Sequence, residues 1–213
     1  SFMQRAYDNV IHDVAIQDLP VVMCLDRGGI VGEDGVTHHG VFDMAAFGAV
    51  PGLTIAAPMD ELELRNMMYT GLQYGHPFMI RYPRGNGAGR RWRGVPFEAL
   101  PVGRGRRLRE GTDVALVTVG TVGNAAARAA ERAAAKGVSV AHYDLRFAKP
   151  LDEALLAGVG AEFRHVVTVE DGSLRGGVGE AVTAFFNARG CEVAVHSLGI
   201  GDEWVEHGTP AQL

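Results

Sequence analysis

The sequence predicts an α/β protein of two domains with mainly parallel sheets. Three observations carry that expectation. Short apolar runs of strand length recur at 21–25, 53–57, 78–82, 114–119, 138–145, 166–169 and 193–198. Segments of helical spacing or composition lie between most of them, and strands alternating with helices argue for parallel pairing. Residues 86–101 break the series: Gly, Arg and Pro dominate with no sustained apolar period, a linker signature separating 1–85 from 102–213.

Each element has its own warrant. Phe2, Ala6, Val10 and Val14 recur at i+4, with Met3, Tyr7 and Ile11 alongside and Gln4, Arg5, Asp8 and Asp13 between them. This is an amphipathic helix, ended by Leu19-Pro20. The run 21–25 is a short buried strand, 43–47 makes one helical turn, and 53–57 is a second strand closed by Pro58. Asp60 caps a helix reaching about Tyr74, with Leu62, Leu64, Met67, Met68 and Leu72 as its apolar positions. The third strand, 78–82, empties into Arg81-Tyr82-Pro83-Arg84-Gly85. In the second half, strand 114–119 leads to an alanine-rich helix over 121–136 that Gly137 stops. Strand 138–145, a helix from Asp152, strand 166–169, a helix over 176–188 and strand 193–198 follow. Lys149-Pro150-Leu151-Asp152 reads as a turn and helix cap.

Composition narrows the function classes. At 47% hydrophobic and 21% charged the chain is ordinary for a globular protein, and a net charge of -5 gives no reason to expect nucleic acid or an anionic membrane as partner. Only Lys136 and Lys149 are lysines among 20 basic residues, which reads as genome composition. Cys24 and Cys191 are too few for a disulfide framework or a zinc site, which points to a reducing, cytoplasmic setting. No apolar run approaches the roughly 18 residues of a membrane helix. The chain opens directly on a helical pattern, so Ser1 reads as a cut point.

The most informative segment is Asp26-Arg27-Gly28-Gly29-Ile30-Val31-Gly32-Glu33-Asp34-Gly35-Val36-Thr37-His38-His39-Gly40. It packs five glycines, three acids, one arginine and two histidines into fifteen residues after a buried strand. Open α/β sheets place ligands at such strand ends. Arg27 is a fixed cation, Asp34 a carboxylate and His38 a titratable imidazole, a set able to hold an anionic substrate and move a proton. Arg27 can equally pair with Asp26 or Glu33, and Asp34-Gly35 can be an Asx-turn.

Further motifs sharpen this. Phe2-Met3-Gln4-Arg5-Ala6-Tyr7-Asp8, the glycine loop and Arg81-Tyr82-Pro83-Arg84-Gly85-Asn86 together resemble the 1-deoxy-D-xylulose-5-phosphate synthase family of transketolase-like enzymes. So do Asp144-Leu145-Arg146-Phe147, Lys149-Pro150-Leu151-Asp152, Val169-Glu170-Asp171 leading into Gly176-Gly177, and the end from Gly199 to Gly208. The resemblance implies part of a thiamine-diphosphate pyrimidine-binding domain over 1–85 and a transketolase C-terminal-like domain over 102–213. It also implies condensation of pyruvate with D-glyceraldehyde 3-phosphate, with release of CO2, by a homodimer using thiamine diphosphate and Mg2+. The metal ligands and the cofactor-activating glutamate would lie upstream of this chain, which would be inactive alone.

The resemblance also assigns roles. Arg27 and Arg84 would hold the acceptor phosphate, with Arg81 a packed structural rival. Asp34 would bind substrate hydroxyls or orient an imidazole, and His38 would be the acid/base. Phe2 would stack on the cofactor aminopyrimidine, with Arg5 one helical turn away on the same side. Glu170 and His207 read as structural or interface residues, although glycine-rich turns before helices can also bind anions. Two positions depart from the family pattern: Gly28 replaces alanine, which should loosen the loop, and His39 replaces an amide, adding a titratable group. A transketolase-like C-terminal subunit, a 2-oxoacid dehydrogenase β-type subunit and a non-catalytic dimerisation module are the alternatives that the same modules allow.

Overall fold

The computed structural model describes residues 2–213; of Phe2 only the backbone is described, so stacking by its side chain lies outside the described residues. The chain opens with a 3-10 segment Phe2–Ala6, an α-helical turn α1 (Tyr7–Asn9) and a π-helical segment Val10–Ala15. Val10 is the buried anchor of this stretch, with Met3, Tyr7, Ile11 and Val14 packed around the same core.

Strand β1 (Val22–Leu25), helix α2 (Asp43–Gly48), β2 (Thr54–Ala56), helix α3 (Glu61–Tyr74) and β3 (Phe78–Arg81) make the first half. Its sheet runs β1-β3-β2, all parallel. All four residues of β3 are buried, as a central parallel strand requires. The second half comprises β4 (Arg106–Arg109), β5 (Val114–Val119), α4 (Val122–Ala134), β6 (Val140–Asp144), β7 (Phe147–Lys149), α5 (Glu153–Glu162), β8 (His165–Ser173), α6 (Val178–Ala188) and β9 (Ala194–Ile200). The second sheet is ordered β4-β6-β5-β8-β9, parallel except for β4.

Two strands escape the sequence pattern. Arg106-Arg107-Leu108-Arg109 is an antiparallel edge strand, where one face and one edge stay wet and no apolar run is needed. Phe147-Ala148-Lys149 is a strand, not merely the approach to a turn. It leaves the second half and joins the first sheet antiparallel to β2, stitching the two sheets together. Asp152 does cap α5, accepting the Leu155 N–H at 3.0 Å.

Helix α3 needs a correction. Asp60 caps it through the Glu63 N–H at 2.9 Å, and Met67 is fully buried, but Met68 and Leu72 face solvent. Polar residues take their place in the core. Glu63 accepts the Met59 N–H, and Thr70 donates to the Asn66 carbonyl while accepting the Leu100 N–H. The sequence-predicted linker packs on this face. Arg65 donates to the carbonyls of Trp92, Val95 and Pro96, so residues without regular structure are still tied to the helix.

Candidate active site

The glycine loop leaves the C-terminal end of β1 and closes on itself. Gly29 and Gly40 exchange backbone hydrogen bonds of 2.9 Å each, and the Gly28 N–H donates to the Tyr82 carbonyl at 2.8 Å. Gly29 has φ +82, and a Cβ there would fall on the Asp171 carboxylate. Only glycine serves both demands. Asp171, from β8, accepts the Ile30 N–H at 3.1 Å, so the second half of the chain holds the loop of the first. At Gly28 an added Cβ would lie 3.2 Å from the Arg81 guanidinium. Any side chain there would press on that arginine.

Arg81 is the structural rival of Arg84. It is 5% exposed, pairs with Asp43 at 2.9 Å and donates to the carbonyls of Gly40 and Asp171. Burial disfavours its charge, but Asp43 and Asp171 outweigh burial and raise its pKa. Burial raises the Asp171 carboxyl even with Arg81 opposing.

Above this buried base, the sequence-predicted substrate residues meet. Arg84 Nη1 lies 2.6 Å from Asp34 Oδ2, and Arg27 Nε reaches the same oxygen at 3.4 Å. Arg27 also pairs with Asp26 at 2.6 Å and holds a left-handed backbone, φ +60, unusual outside glycine. Partial desolvation works against ionisation of Asp34, but the charges and hydrogen bonds of Arg84 and Arg27 prevail and lower its pKa. Both guanidinium groups keep contact with water, at 30% and 46% side-chain exposure, so an incoming anion can reach them.

His38 stands on the same loop, its Nδ1 2.9 Å from the Thr37 hydroxyl. Arg5 lines an open cleft of about 700 Å³ with Gln4, Val36, Thr37, Phe42 and Trp204. Phe42 and Trp204 meet edge to face at 6.0 Å, giving the cleft an aromatic side. Neither aromatic was expected in the site: although Trp204 lies in the segment Gly199 to Gly208, no local spacing relates it to Phe42. His39, expected as a second titratable group near the site, also lines this cleft, largely buried beneath the loop.

Glu170 resolves the glycine-rich turn before α6. Its carboxylate accepts the N–H groups of Val178 and Gly179 at 3.0 and 2.8 Å, so an internal anion already fills that helix N-terminus. Burial raises its pKa while those two bonds oppose the rise. No group of three His, Cys, Asp or Glu able to hold a metal ion occurs among the described residues. Nor is any described helix long and apolar enough to cross a membrane.

Residues 103–213 match the model of the transketolase C-terminal domain, and residues 1–89 that of the transketolase pyrimidine binding domain. The chain belongs to the transketolase family. Among curated members, it is 58% identical to the 1-deoxy-D-xylulose-5-phosphate synthase of Bacteroides fragilis and 57% to that of Bacteroides thetaiotaomicron. Against the synthase of Symbiobacterium thermophilum the figure is 48%. Each match covers 100% of this chain and 33%, 33% and 32% of the relative, so the chain spans about a third of their length. A solved transketolase chain, described as a split gene transketolase in an inactive beta4 tetramer, superposes with TM-score 0.81 at 26% identity, covering 94% of this chain and 64% of that one.

Proposed function

We propose that this chain forms one wall of the active site of a 1-deoxy-D-xylulose-5-phosphate synthase, which condenses pyruvate with D-glyceraldehyde 3-phosphate and releases CO2. The observation that carries this reading is the convergence of Arg27 and Arg84 on one oxygen of Asp34. Two cations sharing a single carboxylate oxygen, at strand ends and open to water, hold the geometry a phosphate oxygen needs. Arriving acceptor phosphate takes the guanidinium groups, and Asp34 turns to the acceptor hydroxyls. His38, steadied by Thr37, exchanges the proton of the aldehyde oxygen as it becomes a hydroxyl.

Thiamine diphosphate, when bound, supplies the reactive carbon and the electron sink for decarboxylation. The aromatic-sided cleft bordered by Arg5 fits one face of such a planar group, and Phe2 belongs to the segment that would meet its pyrimidine. Mg2+ and the diphosphate would be held by residues outside this chain. Residues 1–85 would then be the C-terminal part of the pyrimidine-binding domain, 86–101 the linker and 102–213 the C-terminal-like domain. The enzyme would be a cytoplasmic homodimer.

The test is to assay the full-length protein, loaded with thiamine diphosphate and Mg2+, with both substrates. Formation of the carboligation product and CO2 supports the reading; intact cofactor binding without carboligation overturns it. The split-chain structural match favours a second reading, a C-terminal subunit working with a separate partner chain. A catalytic glutamate and metal motif on the same polypeptide would exclude that.

A further inference from the structure

His39 has a place in the loop that the proposed chemistry does not use. It is 6% exposed, and its Nδ1 accepts the Val31 N–H at 3.0 Å. An accepting Nδ1 puts the ring proton on Nε2, which faces the Glu206 carbonyl at 3.4 Å. The first bond crosses the neck of the loop. Together with the paired bonds between Gly29 and Gly40 it makes a three-rung base, and residues 32–38 hang beyond it. Asp34 and His38 both lie in that hanging segment. Inside it, the turns Gly35 N–H to Gly32 carbonyl and His38 N–H to Gly35 carbonyl give backbone order.

The second bond reaches the segment after β9, which lies across the loop like a strap. Gly32 has φ +86, and a Cβ there would sit 2.7 Å from Pro210 and 2.8 Å from the Gly208 carbonyl. Trp204 of the same segment meets Phe42 at the far side of the loop. Loop and strap are therefore in direct apposition, and the His39 imidazole is a polar link between them. Val31 is itself buried, so loss of the imidazole acceptor strands an N–H away from water.

We propose that His39 is a positioning residue that closes the neck of the substrate loop onto the strap 201–210, and so sets Asp34 and His38 for the acceptor aldehyde. This rests on the reading of Asp34 and His38 given above. The imidazole borders the cleft proposed for the cofactor, but its hydrogen bonds go to the loop and the strap, and it acts on the acceptor through the loop.

The test uses the full-length protein with thiamine diphosphate bound, and the variants H39L, H39Q and H39N. H39L keeps bulk but has no polar atom. It should raise KM for glyceraldehyde 3-phosphate on the order of 10-fold or more, since small misplacements of reacting groups are costly. Cofactor affinity and KM for pyruvate should stay near wild type, and hydrogen exchange at residues 30–38 should quicken. H39Q, whose amide can both accept and donate, should restore both readouts. H39N, too short to span both partners, should protect 30–38 while exchange quickens at 201–210. Unchanged exchange in H39L, equal loss in H39L and H39Q, or parallel loss of cofactor binding would each overturn the proposal. If H39L does not fold, exchange in H39N against H39Q decides alone. If wild-type protein makes no product, the reading of function fails, while the exchange measurements still decide whether His39 pins the loop.

Discussion

Two sets of arginines and carboxylates differ in how far their carboxylates are buried. At the glycine loop, Arg27 and Arg84 share Asp34 within reach of water. At the junction of the two halves, Arg106 and Arg146 bind Glu63 at 2.9 and 2.7 Å, and Arg106 also binds Asp144 at 3.0 Å. There the carboxylates are 5% and 0% exposed, and Arg81 with Asp43 forms a comparably sealed pair under the loop. The chemistry of the partners is the same in all three places. Burial of the carboxylate separates them, since Arg106 is itself 31% exposed while Asp34 is 25% exposed against 5% or less for Glu63, Asp144 and Asp43. The open trio can exchange its internal carboxylate for an outside anion at little cost in solvation, whereas the sealed pairs cannot release a partner without stranding a charge.

The largest expected effect breaks the sealed class. Arg81→Met should destabilise the full-length protein by about 3–5 kcal/mol, because it leaves Asp43 buried and unpaired. Urea unfolding measures this. A loss no larger than that caused by Arg27→Ala would erase the distinction between the two classes.

A smaller effect, dependent on pH, sharpens the comparison. Burial and the nearby Glu63 carboxylate push Asp144 from 3.8 up to about 6, although Arg106 opposes. Across that window the folded chain holds a proton that the unfolded chain has lost, so this group's contribution to stability falls as pH rises from about 4 to about 6. His142 does the reverse. It donates to or accepts from the Thr118 hydroxyl at 2.9 Å, and burial, with Arg106 adding to it, lowers it from 6.5 to about 4. The unfolded chain then holds the extra proton, and stability rises through nearly the same window. The two tilts oppose each other in the wild type. Asp144→Asn should expose the rise and His142→Gln the fall, each by about 1–3 kcal/mol between pH 4 and 6.5 in thermal or urea unfolding. Parallel pH profiles in the two variants would show that the junction charges are not sealed.

The loop was legible in the sequence for the same reason that it is open. A chain that needs Arg27, Asp34, His38 and five glycines in fifteen residues cannot hide them in an apolar pattern. The apolar runs that mark β1, β2, β3, β5, β6, β8 and β9 were equally visible. The sealed network was not, because its members come from α3, β4, β6 and the turn after β6, and no local spacing relates Glu63 to Arg106 or Arg146. Strand β7 was hidden for a related reason: its pairing with β2 joins residues about 90 positions apart, and three residues carry no period. On α3, Met68 and Leu72 fit the helical template as well as Met67 does. Only the packing of residues 92–100, tied down by Arg65 and Thr70, chose the polar face as the inner one.

The central claim is that the open arginines read the phosphate of the acceptor. The most direct measurement compares D-glyceraldehyde 3-phosphate with unphosphorylated D-glyceraldehyde in the full-length enzyme carrying Arg27→Ala or Arg84→Ala. A charge-assisted hydrogen bond is worth about 1.5–3 kcal/mol, or roughly 10- to 100-fold. Each variant should raise KM for the phosphorylated aldehyde by that factor and leave the unphosphorylated one and cofactor affinity within about 2-fold. An equal rise for both aldehydes would contradict a phosphate role for Arg27 and Arg84.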